Sequence, residues 1–347
     1  MLRRGQVTGA VLCVVALGLG ATASGASIEG PSLSYLRFEL KPETSEMQLS
    51  SPDGSLTSKL VGGGFHAQPL PYPYSDLAWT PNGTRVVFSA ARRVRYLEPE
   101  PRRHSLHVLN VETGSTEVIP GTRGGRQPVM SPDGRTIAFE RLKQGFRRDS
   151  AGRLRQWYRS SLWRVAIDGS ELKRIRPWRD EGSESPESFS PDGRTLLVTR
   201  GQGNILALTR NGGELGVISR EAWDPVYSPD GSKLALIRLG TETGDPDAPR
   251  VVVDLFVIDL ASGNEIQLTE TEAMETDPNW DPSGQRIVFK RRLNVETKLA
   301  EKDFGDAILQ INADGTCLTK IFSSPGAAYQ RPAWRPGPGR EAGPISC

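Results

Sequence analysis

From residue 77 to the C-terminus, short apolar runs alternate with polar turns at intervals too brief for helices. The runs Val86-Val87-Phe88, Ile137-Ala138-Phe139, Leu196-Leu197-Val198, Leu234-Ala235-Leu236 and Ile287-Val288-Phe289 each follow a turn built on one proline. Aligned on that proline, the copies read LAWTPNGTRVVFS (77–89), PVMSPDGRTIAFE (128–140), ESFSPDGRTLLVT (187–199), PVYSPDGSKLALI (225–237) and PNWDPSGQRIVFK (278–290). A truncated PAWRPGPG (332–339) ends the series. Two residues before the proline stands Trp79, Met130, Phe189, Tyr227, Trp280 or Trp334, large and apolar in every copy. Proline presets φ at the first corner of a turn, Asp or Asn tolerates the second, and glycine takes the left-handed position. Each unit therefore predicts a β-hairpin with a buried second strand. Another hairpin follows each first one, as in SLHVLNVETGSTEVI (105–119) and AILQINADGTCLTKI (307–321). Four strands per unit, with anchoring prolines 38 to 59 residues apart, predict a β-propeller.

One SPDG does not fit this frame. MQLSSPDGSLTSKLV (47–61) aligns better with ILQINADGTCLTKIF (308–322), a second hairpin, than with a first one. SPDG at 51–54 then joins a unit's third and fourth strands, and SYLRFEL (34–40) is its second. The missing first strand is RPAWRPG at the other end of the chain. The expected architecture is all-β: a six-bladed propeller whose last blade takes one C-terminal and three N-terminal strands, so that closure removes exposed sheet edges. The competing reading is a decayed first copy of the first hairpin.

Composition adds limits. The chain has 347 residues with 43 Lys+Arg, 41 Asp+Glu, 37 glycines and 26 prolines, which suits many strands and turns. MLRR followed by TGAVLCVVALGLGA and ATA at 21–23 has the order of a secretory signal, cut after Ala23 or Ala26; a retained anchor is the alternative. The expected organisation is a signal over 1–26, a propeller over 27–340 and a tail over 341–347. Losing Arg3 and Arg4 with the signal leaves a neutral chain, which excludes a general nucleic-acid binder. Cys317 and Cys347 remain, either paired in an oxidising compartment or as two free thiols.

The PxWSPDGxxIAF and LxxIDxDGxxLT patterns, over about residues 33–338, resemble the TolB-like propeller family, whose namesake is the periplasmic component of the Tol–Pal system. They are also similar to the propeller domains of prolyl oligopeptidases. The resemblance implies the fold and a periplasmic or secreted location. It assigns no site, because the motif residues build strands and turns. TolB also carries an N-terminal α/β domain, for which the expected signal leaves no room here.

Catalytic residues are scarce. The histidines are His66, His104 and His107; His107 alternates with apolar neighbours and reads as structural. No GxSxG elbow, HExxH or cysteine cluster occurs. TGDPDAP (243–249) lacks a calcium loop's ligand spacing. No catalytic residue, metal or cofactor is expected. The sequences 91–104 and 141–160 read as long basic loops, and 239–249 as an acidic one, on a face shared with the channel connections. Arg93, Arg102, Arg148, Arg155, Trp157, Trp178, Arg179 and His66 are the candidate binding residues there, since Arg and aromatic side chains serve as anchors. The expected function is an exported, monomeric, non-enzymatic scaffold presenting this face to an envelope protein or anionic polymer, with no nucleic acid and no integral membrane segment after signal cleavage. The alternative is a polysaccharide- or peptide-acting lyase or hydrolase at the channel mouth, using Glu181, Glu184 and His66.

Overall fold

The computed structural model describes residues 30–40, 43–62, 65–66, 76–92, 104–148, 150–179, 183–240, 252–292, 305–325 and 327–347; the expected signal segment lies outside them. Among the described residues every regular element is a strand and none is a helix. No helix there is long and apolar enough to cross a membrane.

The first sheet joins the chain ends. Strands β1 (Leu33–Leu40), β2 (Glu43–Ser50) and β3 (Thr57–Gly62) follow β25 (Ala327–Trp334) in the order β25-β1-β2-β3. The second sheet contains β4 (Phe65–His66), β5 (Leu77–Trp79), β6 (Arg85–Arg92), β7 (His104–Asn110) and β8 (Thr116–Val118). The third contains β9 (Gly125–Met130), β10 (Thr136–Arg148), β11 (Leu154–Ala166) and β12 (Lys173–Arg174). The fourth contains β13 (Glu184–Phe189), β14 (Thr195–Arg200), β15 (Asn204–Thr209) and β16 (Glu214–Ser219). The fifth has eight strands: β17 (Ala222–Tyr227), β18 (Lys233–Leu239), β19 (Val253–Asp259), β20 (Glu265–Gln267), β21 (Met274–Trp280), β22 (Arg286–Arg292), β23 (Gly305–Asn312) and β24 (Thr319–Pro325). Hydrogen bonding thus gives five sheets where six separate ones are expected. The difference is one parallel pair, Val253 with Met274, which fuses two antiparallel groups.

The apolar triplets are explained by packing on both faces of each strand. Val86 and Phe88 meet Leu36, Met47 and Leu49 of the first sheet, whereas Val87 meets Ile137 and Phe139 of the third. Ala138 continues to Leu196 and Val198, Leu197 to Leu234 and Leu236, and Ala235 to Ile287 and Phe289. Val288 and Ile308 then return to Leu33, Tyr35 and Trp334. The cores form a closed cycle, the arrangement of a β-propeller.

Proline-anchored turns lock the opposite face. In SPDG the serine hydroxyl donates to the aspartate, at 2.5 Å from Ser131 to Asp133 and 2.5 Å from Ser190 to Asp192. The glycine does more than permit a left-handed corner. A β-carbon on Gly134 would stand 3.1 Å from Pro81, and one on Gly231 3.1 Å from Pro191, so each turn seats against the proline of the preceding unit. At the seam, Gly83 (φ +66°) packs on the Pro336 carbonyl, which a β-carbon would approach to 2.0 Å.

Closure itself is antiparallel, with Leu33 opposite Trp334 and Ser34 opposite Ala333. The SPDG at 51–54 joins β2 to β3, the third and fourth strands of that sheet. The Ser34 hydroxyl donates to the Ala333 carbonyl (3.0 Å) and accepts from the Trp79 indole (2.8 Å), tying the seam to the next sheet. The residues after β25 are fastened too. Cys317 and Cys347 form a disulfide, Asn312 accepts from the Ile345 N–H at 2.7 Å, and Arg286 donates to the Ala342 and Gly343 carbonyls at 2.8 Å each.

Trp334 is 3% exposed within this seam. Trp334→Ala should lower unfolding free energy by about 3–5 kcal/mol, read from the urea midpoint at constant m. A loss below about 1 kcal/mol would mean that the seam carries little of the stability.

Candidate ligand-binding channel

Five residues before each anchoring proline stand Asp76, Gln127, Pro186, Asp224, Asp277 and Arg331. They meet at the axis. With Glu187, Leu77 and the prolines 128, 225, 278 and 332, they line a cavity of about 100 Å³. The local cause is a bulge repeated in the innermost strands. Pairing slips between Trp223 and Val226, between Thr276 and Asn279, and at the matching points of β9, β13 and β25. Gln127, Asp224, Asp277 and Arg331 take positive φ of 48–57° there. A bulge re-aims one side chain, here toward the axis, and left-handed backbone at a non-glycine residue costs about 1–3 kcal/mol. Such strain clusters at working sites.

The electrostatics centre on Arg331. Its Nε lies 2.8 Å from Asp76 and its Nη1 3.3 Å from Asp277, while Lys290 Nζ stands 3.5 Å from Asp277. Backbone bonds pass from unit to unit: the Arg331 N–H donates to Asp277 (3.3 Å), and the Asp277 N–H to Asp224 (3.1 Å). Glu187, Asp224, Asp277 and Arg331 are half-buried and Asp76 is buried, with protein packed around the lumen they line. Burial raises the pKa of Glu187 well above the carboxylate range, and Asp224 adds to the rise. Burial also raises Asp76 and Asp224, against the pull of Arg331. Asp277 is the exception: burial pushes it up, but Lys290 and Arg331 together hold it low. Four carboxylates thus face two cations, and the surplus is held at an electrostatic cost.

Asp76 Oδ1 is ion-paired with Arg331, while Asp76 Oδ2 and Gln127 Oε1 receive no hydrogen bond among the described residues. The volume admits a few waters or one side-chain tip, whereas small-molecule pockets run to about 300–1,000 Å³. Among the described residues no group of three or more His, Cys, Asp or Glu side chains converges to hold a metal ion.

The expected binding residues lie elsewhere. Residues 141–160 form a two-stranded hairpin and not a loop, because Leu142, Gln144 and Phe146 alternate with charges and pair with Ser160, Tyr158 and Gln156. Arg148 is exposed and donates to the Gly152 carbonyl at 2.7 Å; Arg155 is exposed opposite Arg147. Trp157 lies across Gly145, where a β-carbon would come within 2.7 Å of the indole. Lys143 stands 4.2 Å over the Trp178 ring. Arg179 pairs through its backbone with Ser160 and turns its side chain to Glu184, at 3.4 Å. Arg93, Arg102 and Glu181 lie outside the described residues. His66 pairs with Ala91 beside β6; its side chain is outside the description.

Glu184 is not poised for proton transfer. Burial raises its pKa, but Arg176 (2.7 Å) and Arg200 (2.7 Å) override that and hold it low. His104 opens β7, and burial depresses it to about 4. His107 stacks on Phe88 with ring centres 5.5 Å apart. The sequence NGT (82–84) is the β5–β6 turn, with Asn82 capping Thr84. The channel ring was missed although one column of the aligned repeats contains it: the position five before the proline reads Asp, Gln, Pro, Asp, Asp and Arg, and a proline follows it in four of the six copies.

No protein-family model matches the chain. Over 239 residues it is 26% identical to the uncharacterized peptidase YuxL of Bacillus subtilis (strain 168), covering 66% of this chain and 31% of that protein. It is 22% identical over 223 residues to the uncharacterized protein Atu1656 of Agrobacterium fabrum, covering 63% and 55%. The chain therefore spans about a third and about half of these relatives. Among solved structures, TolB from Acinetobacter baumannii superposes with a TM-score of 0.62 at 18% identity, over 88% of this chain and 67% of that one. The chain has a TolB-like β-propeller.

Two outcomes follow from the ring. Arg331→Met leaves buried carboxylates without their cation and should destabilise by about 3–5 kcal/mol at neutral pH, measured by denaturant titration. Glu187 has a raised folded-state pKa, so its favourable contribution is present below the ordinary carboxylate range and lost as pH rises through the folded value. Glu187→Gln should therefore melt above wild type at neutral pH, with the gap closing as the pH is lowered to the ordinary range. A gap independent of pH would contradict the burial of that charge.

Proposed function

We propose that the chain is an exported, non-enzymatic binding scaffold of the cell envelope, periplasmic or secreted, with the organisation expected from the sequence: signal 1–26, propeller 27–340, tail 341–347. The propeller has six blades in this reading. The eight-strand sheet divides at its single parallel pair, and each of six innermost strands is followed two residues on by one anchoring proline. The Cys317–Cys347 disulfide supports an oxidising compartment.

The observation that carries the binding reading is the acidic lining of the channel: Asp76, Glu187, Asp224 and Asp277 gathered about Arg331 and Lys290. A partner protein inserts one basic side chain or terminal amine there, and the loop-face residues Arg148, Arg155, Trp157, Trp178 and Arg179 contact its flanks. The cavity is too small to enclose a sugar ring with its leaving group, and Glu184 is tied to arginines, so both features weigh against the hydrolase or lyase alternative.

Proximity labelling in the native host tests this. The wild-type protein should label a discrete envelope protein, and Asp76→Asn with Asp224→Asn should reduce that labelling at least tenfold while circular dichroism is unchanged. Undiminished labelling by the double variant would exclude the channel; turnover of a peptide or polysaccharide substrate by wild type would favour the enzymatic alternative.

A further inference from the structure

Strands β10 and β11 outrun their sheet. β9 pairs with β10 only as far as Arg141, and β12 reaches β11 only at Trp163 and Arg164. Beyond the isolated pair of Ser160 with Arg179, residues 143–148 and 154–159 pair with each other, with no further strand alongside among the described residues. At about 3.4 Å per residue the free part reaches roughly 20 Å. It leaves the sheet at the end where β9 begins beside Gln127, so it stands on the face of the channel mouth.

Its two sides differ. Opposed residues of an antiparallel pair share a side. One side carries Lys143, Arg147, Arg155 and Arg159, with Trp157 laid over Gly145. The other carries Phe146, Leu154 and Tyr158, which are 64%, 61% and 48% exposed, with Arg148 opposite Leu154 at the tip. Residues 141–160 hold seven Lys/Arg against one acid, in a chain that is close to neutral as a whole. Four of those arginines (147, 148, 153 and 155) flank Phe146 and Leu154 at the tip, where Arg148 closes the turn on Gly152.

We propose that this hairpin docks the propeller onto an anionic lipid surface. The tip arginines meet phosphate headgroups, and Phe146 with Leu154 enters the boundary below them. Exposed apolar residues interleaved with cations are the pattern of an interfacial anchor. The hairpin's backbone is paired within itself, so shallow entry leaves only the outer edges to headgroup water. Phe146 and Leu154 at the tip carry no hydrogen-bonding group, which suits acyl chains better than sugar hydroxyls. The proposal does not rest on the channel, but it reassigns Arg148 and Arg155 from the flanks of a protein partner to lipid headgroups.

Vesicle flotation with the full chain tests it. Phosphatidylcholine vesicles give the baseline from any other apolar segment; vesicles with 30% phosphatidylglycerol, roughly the anionic content of a charged leaflet, give the signal. Wild type should partition at least tenfold more strongly into the anionic vesicles, and the excess should fall with added salt. Arg147→Glu with Arg148→Glu should abolish the excess. Phe146→Ala with Leu154→Ala should reduce it several-fold at unchanged charge. No excess over baseline, or an excess that either double variant leaves intact, overturns the proposal. So does retention on an anionic polysaccharide resin without flotation, which would assign the hairpin to carbohydrate.

Discussion

A ring of sheets is stable only if its last edge is paired, and here that pairing joins residues three hundred positions apart. Leu33 beside Trp334 is the register on which the rest depends. Each triplet of apolar residues is buried on both faces because a neighbouring unit exists on both sides. Without β25 against β1, two of those neighbours would face water. The seam is therefore reinforced at several levels: the strand pair, the Ser34 bridge to Trp79 and Ala333, Gly83 against Pro336, and the disulfide beyond.

The same ring creates the site. Strands that converge on an axis bring one residue from each repeat into a small volume, so the character of the channel is set at a single alignment column. Gln127 carries only the strain of the bulge, whereas Asp76, Asp224 and Asp277 are carboxylates pushed up by burial. Arg331 also pays for its burial, and it does so by compensating carboxylates contributed by other sheets. It belongs to the closing strand, which couples the electrostatics of the channel to closure of the ring.

The fold was legible because turn chemistry and two-faced burial both leave local marks: the proline, the glycine after it, and three apolar residues in a row. Even the displaced strand could be assigned, since a single SPDG aligned with the wrong hairpin. The site was less legible. Asp76, Asp224 and Asp277 look like ordinary turn residues before a strand, and nothing local says that three of them share one cavity with Arg331. The basic segment 141–160 was taken for a loop because charge density masked a two-residue alternation that its pairing makes plain. Its length matters for the same reason: a hairpin holds Lys143, Arg147, Arg155 and Arg159 on one side and Phe146, Leu154 and Arg148 on the other, where a loop would mix them.

The disulfide encloses the closing strand. β25 lies wholly between Cys317 and Cys347, which stand 30 residues apart in sequence with Cα atoms 5.2 Å apart. When the strand peels from β1, both of its ends stay moored to the neighbouring sheet. Its return is then an intramolecular event at an effective concentration on the order of millimolar, and a transiently opened ring recloses before another chain can borrow the exposed edge. In a reducing solvent that mooring is lost from one end, and the seam becomes the place where swapping between molecules begins.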